Sequence, residues 1–138
     1  MKQLAAIAML AGALPVYAQQ APTTPACPKA GAVAQQHMLG LWRAEFQGRA
    51  RGASVLFEKH PEDEGRLTGM INRDGERSQL AGEVHQGEFS MEESADGTRI
   101  SAAWTGDVVE GSCGREIRGT WQEEKDPPRP FPFILRKQ

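Results

Sequence analysis

The run EGSCGREIRGTW, Glu110 to Trp121, places Cys113 between glycines, beside Arg115 and Glu116, with a tryptophan at its end. Two chemistries suit it. Cys113 could be a nucleophilic thiol, or one end of a disulfide that anchors the start of a strand. A thiol nucleophile needs a base, usually histidine. The chain's histidines are His37, His60 and His85, and none has a spacing that assigns it to Cys113. The other cysteine is Cys27, and no CxxC or metal-ligand spacing is present. The reading is therefore a Cys27–Cys113 disulfide, which suits an oxidising compartment. Closing so long a loop stabilises by roughly 4 to 5 kcal/mol in the chain-entropy picture.

The N-terminus points to the same compartment. MKQLAAIAMLAGALPVYAQQ has one cation, Lys2, an apolar run from Leu4 to Val16, and Val16-Tyr17-Ala18 before a cleavage point. This is the pattern of a secretory signal peptide over residues 1–18. The run is short of the roughly 20 apolar residues that a membrane span needs. A flexible leader follows over 19–29, rich in proline and polar residues, and residues 30–138 form a single domain of a size that buries a core. The expected location is periplasmic or secreted. With a formal charge of −2 and scattered arginines, the chain has no clustered cations for nucleic acid.

Other catalytic constellations are missing. Glu92 and Glu93 are adjacent and so fall on opposite faces of a strand, a poor carboxylate dyad. Glu93 is the carboxylate to watch, inward near a barrel mouth, and Arg115 is expected inward at the opposite end of its strand from Trp121. No glycine-rich loop leads into a helix, so a phosphate cradle is not expected. The expectation is a chain that is not an enzyme, with no catalytic residues, metal ligands or cofactor.

The elements that position these residues are strands. One short helix fits within Lys29 to Met38. Beyond residue 40 apolar residues alternate between turn signals. Eight strands are predicted: Leu41–Gln47, Ala53–Lys59, Arg66–Arg73, Arg77–Val84, Glu88–Ser94, Thr98–Gly106, Arg115–Gln122 and Pro130–Lys137. Asp74-Gly75 and Asp96-Gly97 are hairpin signals, because these pairs tolerate positive φ. The segment 123–130 is expected to leave the ladder because its prolines lack a donor. Ile100, Ala102 and Trp104 are placed inward. Charged residues such as Arg43, Glu45, Glu92 and Arg118 face water.

Sequential hairpins make neighbouring strands antiparallel. An eight-stranded up-and-down β-barrel with a short N-terminal helix removes the two edges that an open meander would leave. A β-sandwich is the rival, and it needs longer crossings. Gly40-x-Trp42 in LGLWRAEFQG, and Gly119-Thr120-Trp121 later, resemble strands of the calycin-type barrels, the lipocalins and avidins. The resemblance spans Leu39 to Lys137 and implies a closed barrel. The polar biotin-binding set of avidins has no counterpart here, so it implies a fold and not a ligand.

Trp42, Phe46, Trp104 and Trp121 fall on inward faces. They are either packed core or the wall of a cavity, and Gly69, Gly82 and Gly119 serve either barrel curvature or ligand space. The leading functional expectation is a non-enzymatic barrel that binds a small, partly apolar ligand through those four aromatics. The alternative is a protein-interaction module, such as an inhibitor, immunity or envelope accessory protein, that uses the loops at 60–65, 107–114 and 123–130.

Overall fold

The computed structural model describes residues 11–17, 26–49 and 51–138. The cleavage point after Ala18 and most of the expected leader lie outside the described residues. A 3-10 turn at Ala30–Ala32 and one helical turn, α1, at Gln35–Met38 precede eight strands. These are β1 Gly40–Phe46, β2 Ala53–Lys59, β3 Leu67–Arg73, β4 Glu76–His85, β5 Glu88–Ser94, β6 Ala102–Val108, β7 Glu116–Glu123 and β8 Arg129–Lys137. Each pairs with the next, and β8 pairs back with β1, closing an antiparallel up-and-down barrel. The closing register sets Trp42 against Lys137 and Phe46 against Phe133. Among the described residues no helix is long and apolar enough to cross a membrane.

Alternation drives the closure. In β1, Trp42, Ala44 and Phe46 are buried while Leu41, Arg43 and Glu45 are exposed. One apolar face per strand, bent round on itself, buries that face with no free edge. Asp74 and Gly75 both have positive φ, as the tight β3–β4 turn requires, and the Gly75 N–H donates to Asn72 Oδ1 at 2.7 Å.

Two expectations need correction. β6 begins at Ala102 and not at Thr98, and Ile100 is 43% exposed. The cause is Asp96: its Oδ1 accepts the N–H groups of Thr98 and Arg99, each at 2.8 Å, and holds the chain in a loop. Residues 123–130 do not wholly leave the ladder, since Glu123 pairs with Arg129 and Gln122 with Pro130. Pro130 and Pro132 are tolerated because the β1–β8 register starts only at Phe133.

The alternation of hairpins gives the barrel two different ends. The mouth carries the connections 47–52, 74–75, 95–101 and 124–128. The base carries 60–66, 86–87 and 109–115 together with the N-terminal turns. Cys27 and Cys113 are bonded, with Cα atoms 4.4 Å apart, and tie the N-terminal segment to the base. The loops of the interaction-module reading lie at both ends of the barrel: 60–65 and 107–114 at the base, 123–130 at the mouth.

Candidate functional site

Inward aromatics run the length of the barrel as a chain of ring contacts. Trp42 at the base meets Phe57 at 6.2 Å between centroids, Phe57 meets Phe89 at 6.0 Å, and Phe89 meets Phe133 at 6.2 Å. Phe133 meets Trp104 at 4.9 Å, Trp104 meets Phe46 at 5.4 Å, and Phe46 meets Trp121 at 5.3 Å. Trp121 reaches Phe131 at the mouth at 5.8 Å. The tilted and edge-on geometries are those that aromatic quadrupoles favour.

Three of the four predicted binding residues, Phe46, Trp104 and Trp121, thus gather at the mouth end. Trp42 is separate: it sits at the base, and its indole N–H donates to Met38 O at 2.7 Å. Trp42 is 0% and Trp104 1% exposed, so no solvent-sized space lies beside either. The inward glycines help explain this filling. Gly106 and Gly119 face each other across β6 and β7, flanked by Phe89 and Phe133 in the neighbouring strands. A Cβ on Gly119 would stand 2.0 Å from Thr105 O, so the strands approach more closely than any side chain permits.

The mouth cluster surrounds a charge. Glu93, inward on β5, is 2% exposed, the one buried polar or charged residue among the described residues. Its Oε2 accepts the indole N–H of Trp104 and of Trp121, each at 2.9 Å. Arg73, the last residue of β3, closes over it from the mouth. Arg73 Nη1 donates to Oε1 and Nη2 to Oε2, the latter at 3.1 Å, in a forked pair. The Arg73 guanidinium also lies 5.1 Å from the Trp121 centroid and 5.5 Å from that of Phe46. Each such cation–aromatic contact contributes about 0.5 to 2 kcal/mol. Burial by itself raises a carboxyl, but the Arg73 guanidinium and the two indole donors outweigh it and hold Glu93 below the usual carboxylate range. Glu93 is therefore ionised at neutral pH.

A second cation stacks farther out. Arg49, in the β1–β2 loop, lies 5.0 Å from the Trp121 centroid and 5.5 Å from that of Phe131, and pairs with Glu123 at 3.0 Å. Arg49, Arg51, Arg73, Asp74 and Glu76 line a mouth cavity of about 190 Å³. Arg73 touches both this cavity and Glu93.

Glu93 lies where its alternation with Phe89 and Met91 puts it. Arg115 does not point inward: it is exposed in the β6–β7 loop at the base. Arg73 is the inward arginine instead, and the alternation Leu67, Gly69, Ile71, Arg73 carries the signal that finds it. Among the described residues no three His, Cys, Asp or Glu side chains gather as a metal-ligand set. Chemically, the cluster is a buried carboxylate in an aromatic wall, able to hold a cation and to offer a flat apolar surface. Comparison with known protein families and with curated proteins finds no match to this chain.

Proposed function

We propose that the chain is an exported, non-enzymatic binding barrel that holds a small, partly apolar ligand at its mouth, among Phe46, Trp104 and Trp121. One observation carries the reading. Trp104 and Trp121 converge on a buried carboxylate beside Phe46, and Arg73 pairs with it from the mouth end of β3. Binding sites combine apolar walls with a few convergent polar groups, often in barrel mouths. Export is supported by the signal-peptide pattern from Lys2 to Ala18 and by the Cys27–Cys113 bond.

Native mass spectrometry of protein taken from the periplasm of the producing cell tests this. A retained small molecule, lost when Trp104 is changed to alanine, is the expected result. A co-purified protein with no small adduct overturns it in favour of the second reading, a protein-interaction module. That reading draws on a specific observation: the indole donors of Trp42, Trp104 and Trp121 are already paired within the chain. A partner would then meet the mouth loops 95–101 and 124–128, with the filled barrel as a rigid support.

A further inference from the structure

We infer that the mouth of the barrel is a receptor for a planar cation, a guanidinium or amidinium group on an apolar body, and that Arg73 occupies it as a tethered stand-in. This rests on the reading of the mouth as the binding site and names the ligand's chemistry.

The surroundings of the Arg73 guanidinium are those that a planar cation from outside would need. A carboxylate presents both oxygens to a forked donor pair, and two aromatic faces, Phe46 and Trp121, lie within 5.5 Å. Trp104 and Trp121 also donate to this carboxylate, so two of its hydrogen-bond partners remain when Arg73 leaves. An ammonium would fill this site poorly, because a compact point charge matches neither the fork nor the flat walls.

The occupant has a way out. Arg73 is the last residue of β3, at the tight Asp74-Gly75 turn, and its side chain is 18% exposed, whereas that of Glu93 is 3% exposed. The mouth cavity that Arg73 lines also presents Glu76, a carboxylate that can receive the guanidinium once it leaves Glu93, while Asp74 beside it pairs with Arg51 at 3.1 Å. A ligand entering from that cavity takes the place of Arg73 and buries its apolar body against Phe46 and Trp121. The exchange conserves the buried ion pair, so no unpaired charge is left inside. Ligand binding is weakened by the fraction of molecules in which Arg73 holds the site, and removing Arg73 lifts that penalty.

Benzamidinium is the probe, and neutral benzamide, of the same shape, is its control. Both are titrated against wild type, Arg73→Met and Arg73→Met/Glu93→Gln, read by tryptophan emission and by the melting temperature. The expected result is saturable benzamidinium binding to R73M, at least tenfold tighter than to wild type, with benzamide inert and the double variant unresponsive. Equal responses to benzamide and benzamidinium, or an R73M protein that neither probe saturates, overturn the inference. Should R73M be unfolded alone, benzamidinium must restore a cooperative melt, and failure to do so overturns it equally. A neutral natural adduct together with an unresponsive R73M removes the planar cation while keeping the binding barrel. Saturation of R73M without any natural small adduct keeps the receptor chemistry and removes the free small molecule, leaving an arginine of a partner protein as the source of the cation.

Discussion

Replacing Glu93 by glutamine tests the mouth network most directly. Glutamine has the same size, and its amide oxygen can keep the indole donors of Trp104 and Trp121. Its amide nitrogen then faces the Arg73 guanidinium, donor against donor. Breaking a buried ion pair from one side costs about 3 to 5 kcal/mol. Arg73 lies near the mouth and can turn toward Glu76, so the expected loss is at the lower end, about 3 kcal/mol. The assay is urea unfolding of oxidised wild type and Glu93→Gln between pH 7 and pH 3. Because the folded-state carboxyl is held down, its contribution is fully present above the unfolded value of about 4.3 and is lost as pH falls through the lower folded value. The gap between the two proteins must therefore be widest at neutral pH and narrow as pH falls below the unfolded value of about 4.3. A difference under about 0.5 kcal/mol at pH 7, within the range of ordinary surface substitutions, refutes the ion pair as a stabilising element. A gap that stays constant down to pH 3 refutes the ionised state of Glu93.

Other substitutions read other parts of the structure. Cys113→Ser should lower stability by about 2 to 4 kcal/mol, and a reductant should bring wild type to the same denaturation midpoint; equal melting curves for oxidised and reduced wild type would contradict this. Trp104→Ala removes a ring that touches Phe46 and Phe133 and a donor to Glu93, and should cost about 3 to 5 kcal/mol in urea unfolding. Gly119→Ala must push β6 and β7 apart against a 2.0 Å clash, so calorimetry should show a loss of at least about 1 to 3 kcal/mol. In Trp42→Phe the Met38 carbonyl loses its indole donor at the base, and a loss of about 1 to 3 kcal/mol is expected with no change in benzamidinium binding at the mouth.

Much of the barrel was legible because its strands obey a period of two and its turns carry glycine after a residue that accepts positive φ. Trp42, Phe46, Trp104 and Trp121 all lie inward where alternation places them. Alternation says which face a residue is on, but not at which end of the barrel it sits relative to residues far along the chain. That is why Trp42 and Trp104 looked equivalent, although one is held by Met38 and the other by Glu93. The start of β6 was missed because a side-chain carboxylate at Asp96 competes with the ladder for backbone donors, a local bond that hydrophobic pattern does not register. Arg73 is hard to read from the sequence for a different reason. An arginine on an inward face reads as an error in the pattern until its partner is known, and Glu93 lies two strands away across β4.

The register that joins Trp42 to Lys137 also dictates when the molecule can become whole. A chain made from its N-terminus holds seven strands before the eighth arrives, and until then β1 and β7 are both bare. No early portion can close on itself, since the seam links the first strand to the last, a contact of long sequence separation and slow formation. Phe133 sits in that last strand, opposite Phe46, and its ring joins Phe89 to Trp104. The same side chain that zips the wall thus bridges the two halves of the aromatic spine, so sealing the cylinder and filling it are one late event. Loss of the final half-dozen residues would leave a sticky open sheet and not a slightly weakened barrel.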